Sequence, residues 1–145
     1  MPKEDILTGI SFHILDQKNR LFIPLKYRNK QKKFVMTYGL DNCVVIYSFK
    51  KWQEVIKKIE NLSIKNKLYQ RAFIRLFFAE AEIVEIDRQG RILIPKKFKD
   101  RFNLGNEIVL VGNKDKLEIW SKEEWFRYYK EVSKIINKIK TQIEI

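Results

Sequence analysis

The chain has 145 residues, 45% of them hydrophobic, so it has the length and apolar content for one domain or two small halves sharing a core. Its 30 Lys and Arg face 18 Asp and Glu, a formal net charge of +12 that excludes a polyanion-avoiding protein and points to DNA, RNA or anionic lipid. The single cysteine, Cys43, excludes an internal disulfide and a cysteine-based zinc site, and the single histidine, His13, argues against a histidine-rich metal cluster or a histidine-dependent triad.

The N-terminal segment, residues 1–8, carries Lys3, Glu4 and Asp5 and has no apolar signal-peptide core. Ile10, Phe12 and Ile14 then alternate with Ser11 and His13, which predicts a strand. An Asp-x-x-Asn-Arg turn follows at 16–20, with Asn19 suited to a positive φ. A short β-run at 21–23 stops at Pro24, which cannot donate to a ladder but suits the first turn of a helix. A short basic helix comes next, then a hairpin of 34–38 with 43–47 that has Gly39 at its tip and Cys43 packed inside it. Trp52, Val55, Ile56 and Ile59 form the apolar stripe of a closing helix.

A further helix, roughly 65–78, places Tyr69, Ala72, Phe73, Leu76 and Phe77 at helical period, as core or subunit contact. The apolar stretch 72–86 is interrupted by Arg75, Glu80, Glu82 and Glu85, so it is no membrane span. Then the pattern starts again. Residues 16–28 recur as 87–99, and residues 35–52 align with 108–125, pairing Gly39 with Gly112, Ser48 with Ser121 and Trp52 with Trp125. The offset grows by two residues between the blocks, which predicts a longer connecting loop in the second copy. The second hairpin is 107–111 with 117–120, with Gly112 at its tip. In the last segment, Trp125, Tyr129, Val132, Ile136, Ile139 and Ile143 recur at alternating steps of four and three. That predicts a C-terminal helix packed on the body or on a neighbouring subunit, with a short coiled coil as the alternative. The organisation is therefore a segment at 1–8, a first repeat at 9–62, a connecting helix at 63–79, a second repeat at 80–121 and a terminal helix at 122–145, with both repeats forming one unit.

Cations concentrate at each turn. Between 16 and 33 stand Lys18, Arg20, Lys26, Arg28, Lys30, Lys32 and Lys33, and between 87 and 101 stand Arg88, Arg91, Lys96, Lys97, Lys99 and Arg101. A protruding β-turn can enter the major groove, where the arginine fork fits guanine O6 and N7 or a phosphate. Arg20 and Arg91 are the principal candidate contacts, and Lys18, Arg88, Gln89, Lys26 and Lys97 support them. Asp16 and Asp87 build the turns, accepting backbone N–H groups and restraining the arginine four residues on. Gln89 replaces Lys18, so the two halves read different bases. The alternative is an ordinary hairpin whose arginine bonds only locally. Glu80, Glu82 and Glu85 form no pair across a cleft, there is no phosphate-cradling glycine loop, and no metal or cofactor is called for, so an enzyme is not expected. The aromatics sit at core-like spacings, which disfavours a base-stacking RNA reader.

The ordered set of motifs resembles the MraZ family of bacterial transcriptional regulators. It comprises the two turns each followed by Ile-Pro, the hairpin motif at 34–41, Arg71-Ala72-Phe73 through Phe77-Phe78-Ala79, the run 89–95, and Ile119-Trp120-Ser121 leading to Trp125. The resemblance spans residue 9 to about 130. It implies an α+β fold: a tandem-duplicated, swapped-hairpin, β-barrel-like unit of the AbrB type with peripheral helices. It also implies a cytoplasmic, nucleoid-associated homo-oligomeric ring, an octamer or dodecamer, that binds double-stranded promoter DNA carrying repeated boxes upstream of the division and cell-wall gene cluster. The rival reading is an antitoxin-like or RNA-binding swapped-hairpin protein. Two positions depart from the family pattern. Asn19 stands where the first turn has Gly, at a cost of ~1 kcal/mol or less, and Glu80 stands where a small Gly is usual.

Overall fold

The computed structural model describes residues 6–28 and 30–145. Of the N-terminal segment, residues 1–5 lie outside the described part. Fourteen elements follow in order: β1 (Ile10–Ile14), β2 (Arg20–Phe22), α1 (Leu25–Arg28), β3 (Lys33–Tyr38), β4 (Val44–Ser48), α2 (Phe49–Glu60), α3 (Lys67–Glu80), β5 (Glu82–Glu85), β6 (Arg91–Leu93), α4 (Lys96–Arg101), β7 (Glu107–Asn113), β8 (Lys116–Ser121), α5 (Lys122–Ile139) and a 3₁₀ turn (Lys140–Gln142). The fold is α+β with antiparallel sheets. No helix among the described residues is long and apolar enough to cross a membrane.

One sheet has six strands in the order β1-β7-β8-β4-β3-β5, and the other pairs β2 with β6. The order is symmetric under exchange of the two sequence copies. The first strand of each copy leaves its own hairpin and pairs with the other copy's: β1 with β7, and β5 with β3. At the centre of the large sheet Val45 pairs with its own repeat equivalent, Glu118. In the small sheet Leu21 pairs with its equivalent, Ile92. A pseudo-two-fold axis therefore passes through both sheets.

The hairpin strands are sandwiched, which is why they read as continuous apolar runs. One face of β4 buries Val44 and Ile46 with Leu21, Ile23, Ile92, Ile94 and Phe98, under the small sheet and the basic helices α1 and α4. The other face buries Val45 and Tyr47 with Val55, Phe77, Trp120 and Trp125, under α2, α3 and α5. Trp120 stacks among Trp125 and Tyr128 at 5.3 and 5.0 Å between ring centres. The repeated serines cap the closing helices. Ser48 Oγ accepts from Lys51 N at 3.2 Å and Ser121 Oγ from Glu124 N at 3.0 Å, each worth about 1 kcal/mol.

Several expectations are corrected. The strand predicted from the alternation at 10–14 forms as β1, and its apolar residues face outward, with Ile10, Phe12 and Ile14 at 45, 59 and 74% exposure. Register explains this: they lie on the face shared with Val109 and Val111, where α5 brings Phe126, which stacks on Phe12 at 6.2 Å, and Lys122. Ser11 and His13 turn inward instead, and His13 Nε2 lies 2.8 Å from Ser11 Oγ. Gly112 is not at a hairpin tip. It pairs with Leu117 inside β7, where a Cβ would meet Thr8 N at 2.6 Å, and the turn itself uses Lys114 at φ 64°. In the stretch where the second copy has two additional residues, α4 spans six residues, Lys96–Arg101. The connecting helix starts at Lys67 because Asn66 Oδ1 accepts from Tyr69 N at 3.1 Å. Of its stripe, Phe77 is buried, but Tyr69 and Leu76 are exposed. In α5 Trp125 is buried, whereas Tyr129, Ile136 and, beyond the helix, Ile143 are exposed.

Candidate nucleic-acid interface

The small sheet sets the two basic turns side by side. Each turn is organised by its aspartate. Asp16 Oδ1 accepts from the backbone N–H groups of Lys18 and Arg20 at 2.9 and 2.8 Å, while Oδ2 takes Arg20 Nε at 2.7 Å. Asp87 repeats the pattern with Gln89 N, Arg91 N and Arg91 Nε at 2.8, 2.9 and 2.8 Å. Backbone hydrogen bonding from the arginine's own N–H, reinforced by its guanidinium, holds both carboxyl groups below the usual aspartate range despite a smaller opposing effect of desolvation. The left-handed residues are Asn19 at φ 61° and Gly90 at φ 81°.

The turns are also tied to one another. Ile94 N donates to Asn19 O and Ile23 N to Gly90 O, both at 2.8 Å. Arg91 Nη1 lies 3.9 Å from Asp16 Oδ2, across the pseudo-two-fold. With Nε fixed on the aspartate, Arg20 keeps its Nη groups free of hydrogen bonds to any described residue, whereas Arg91 Nη1 also faces Asp16. Lys18, Arg88 and Gln89 are exposed at the turns. The structure thus brings together Asp16, Lys18, Arg20, Asp87, Arg88, Gln89 and Arg91.

Lys26 and Lys97 are engaged differently. Lys97 Nζ contacts Glu80 and Glu82 carboxylates at 3.4 and 3.2 Å and donates to Glu80 O at 3.1 Å, so its charge is neutralised against the end of α3. Glu80, the acid at the family's glycine position, therefore anchors α4 to α3. Lys26 lies over the Tyr27 ring, 4.9 Å from its centre.

Two repeat-equivalent cations not picked out as contacts brace the turns crosswise. Lys99 Nζ donates to Asn19 Oδ1 at 2.9 Å, reaching from the second copy to the turn of the first. Arg28, its equivalent, donates Nε to Ile23 O at 2.6 Å, lies over Phe22, and fills the space where a Gly90 Cβ would stand, Nη2 being 2.8 Å away. Their shared position in the repeat, eight residues after the turn arginine, was the available signal. The asparagine of the first turn thus has a partner, and the glycine of the second leaves room for a guanidinium.

His13, its pKa lowered by burial, packs against Phe22 of the small sheet, and Cys43, its thiol pushed up by burial, stands apart from the turns. Among the described residues no group of three His, Cys, Asp or Glu is placed to hold a metal.

Comparison with known proteins fits this geometry. The model of the family described as "MraZ protein, putative antitoxin-like" matches residues 6–75 and again 77–144, once per repeat. A relative from Caldicellulosiruptor saccharolyticus, named "Transcriptional regulator MraZ", is 40% identical over 140 residues, spanning 96% of this chain and 97% of its own. Relatives of the same name from Moorella thermoacetica and Clostridium tetani are each 42% identical, over 86% and 80% of this chain and 87% and 82% of their own. The chain belongs to the MraZ family, a family of transcriptional regulators and not of enzymes.

Proposed function

We propose that this chain is a sequence-specific DNA-binding regulator that reads promoter DNA through its paired turns. The observation that carries the reading is the juxtaposition of two aspartate-organised arginines on one small sheet, with Arg91 within 3.9 Å of Asp16. Preorganised guanidinium groups suit guanine edges and phosphates, because little side-chain freedom is left to lose on binding. Arg20 and Arg91 are the principal contacts, supported by Lys18, Arg88 and Gln89. Asp16 and Asp87 are positioning residues. Lys26 and Lys97 contribute charge near the DNA rather than direct readout, given their intramolecular contacts. The exchange of first strands between copies supports the swapped-hairpin class, with residues 9–62 and 80–121 acting as one unit.

The protein works as a ring on tandem boxes, in the cytoplasm and at the nucleoid, upstream of the division and cell-wall gene cluster. Assembly is supported by both edges of the large sheet. The edge at β1 exposes Ile10, Phe12 and Ile14. The edge at β5 exposes Ile83, the repeat equivalent of Phe12, beside Phe49, Trp52 and Ile56. Two different apolar edges on one chain make head-to-tail contacts that close into rings. Joining weak, salt-sensitive contacts then raises avidity by about 10²–10⁴.

One observation favours an RNA reader: Phe12 and Phe22 are exposed, against the expectation of buried aromatics. Both rings are already engaged, Phe12 by Phe126 and Phe22 by His13 and Arg28, which leaves the DNA reading ahead. An antitoxin-like role has less support, because α5 is an 18-residue helix rather than a separable tail.

Fluorescence anisotropy with tandem-box DNA from upstream of the protein's own gene, beside scrambled DNA at two salt concentrations, tests this. The wild type should prefer the promoter, and Arg20→Ala/Arg91→Ala should lose that preference, about 2–6 kcal/mol of discrimination if both contacts are bidentate. Equal, salt-limited binding to both DNAs, unchanged in the variant, would mean that the turns are scaffold.

A further inference from the structure

On the face of the large sheet opposite the turns, a cavity of about 320 Å³ opens between α2, α3 and the two hairpin loops. Its walls are aromatic and aliphatic, including Tyr47, Val55, Phe73 and Phe77, with Phe73 and Phe77 stacked at 5.6 Å. Glu118 lines the same cavity. It is 92% removed from solvent, with only 8% exposure. It occupies the central β8 position whose equivalent in the first copy is the apolar Val45, its own cross-strand partner.

The carboxylate is held by neutral donors only. Trp120 Nε1 donates to Oε1 at 3.1 Å and Asn113 Nδ2 to Oε2 at 3.2 Å. Among the described residues no cation forms an ion pair with it. At the rim Asp41 and Asp115 stand against Lys58 and Lys116, and Lys58 pairs with Asp115 at 3.8 Å. The rim charges balance, and the cavity keeps the one negative charge of Glu118. A buried carboxylate without a cation is a costly arrangement that a positively charged ligand relieves. The aromatic and aliphatic walls give the ligand's apolar body a surface to bury. A volume of this size lies at the lower end of small-molecule sites.

From this we infer that the cavity is a binding site for a small amphipathic organic cation, an amine or quaternary ammonium group on an apolar body. The charged head sits at Glu118, and the body lies along Phe73 and Phe77. The ligand contacts α2 of the first half, the connecting helix α3 and the β7–β8 hairpin of the second half. The site is independent of the DNA-reading turns, so it stands or falls separately from the proposed function.

The test uses the full-length protein and benzyltrimethylammonium as probe, with phenylacetate and benzyl alcohol as anionic and neutral controls of similar shape. Calorimetric titration gives affinities, and NMR shifts of Val55, Phe73 and Phe77 locate the site. Saturable binding of the cation alone at these residues is expected. Glu118→Gln, which keeps the side-chain volume and one of the two acceptors but sets an NH2 group against the other donor, should weaken it by at least about thirtyfold, as removal of one buried charge partner does. Phe73→Ala should weaken it severalfold and serves if Glu118→Gln fails to fold. The circular dichroism spectrum and thermal melt of each variant report an intact fold. Equal binding of cation and anion, an unaffected Glu118→Gln, or no saturable binding would overturn the assignment. So would a crystal structure with Leu40, now 88% exposed at the rim, closed into the cavity.

Discussion

The aspartates at 16 and 87 show how much chemistry four residues of chain can hold. Each carboxylate takes two backbone N–H groups and one guanidinium N–H from the turn that follows it. Because both pKa values are depressed, the ionised form is the bonded one. The restraint on Arg20 and Arg91 is therefore intact at neutral pH and is lost only as pH falls below the ordinary aspartate range, near ~3.9. The Nε–H signals of Arg20 and Arg91, followed by NMR, should hold steady from neutrality to roughly pH 4 and broaden below it. In Asp16→Asn/Asp87→Asn they should be weakly protected at every pH. These contacts were legible in the sequence because they are local. The braces from Arg28 and Lys99 were not, since Lys99 and Asn19 meet across 80 positions of chain. Spacing does not report distances of that kind.

At the level of elements, periodicity located the strands and helices but did not say which face of a strand would be covered. The exposed side of β1 is the clearest instance. Alternation marked Ile10, Phe12 and Ile14 as one face, and only pairing with β7 decided that this face meets Phe126 and Lys122 of α5. Gly112 makes a similar point. Thr8 passes so close that a Cβ would meet its N, C and O atoms at 2.6–2.8 Å. The crossing is fixed by Gly112 N to Gly9 O, Leu7 N to Lys114 O and Lys114 N to Leu7 O, each at 2.8 Å. Gly112→Ala must displace backbone rather than a flexible side chain, and a loss of about 1–3 kcal/mol is expected from this overpacking. Chemical denaturation measures it, and amide exchange at Leu7 and Lys114 should quicken more than exchange in β3 and β4. The identical change at Gly105, where a Cβ meets nothing within 4 Å, is the control.

For the whole molecule, the two sheet edges govern assembly in the proposed ring. Phe12→Ser and Ile83→Ser replace exposed apolar side chains on β1 and β5, so they should leave the folded chain stable within about 0.5 kcal/mol. Sedimentation should then show monomers or short oligomers in place of a closed ring. Affinity for a single box should persist while affinity for a tandem array falls by about 10²–10⁴. An unchanged sedimentation profile in both variants would place the subunit contact elsewhere, with α5 and its exposed Tyr129 and Ile136 the next surface to alter. By itself the sequence determined the duplication, the two aspartate–arginine turns and the family, because each is written in short, ordered motifs. Only the tertiary structure decided the exchange of first strands between copies, the crosswise bracing by Arg28 and Lys99, the outward face of β1, and the burial of Glu118 where the first copy has Val45. Those follow from which distant segments share a sheet, a choice made by the summed burial of both sheet faces and not by any local pattern.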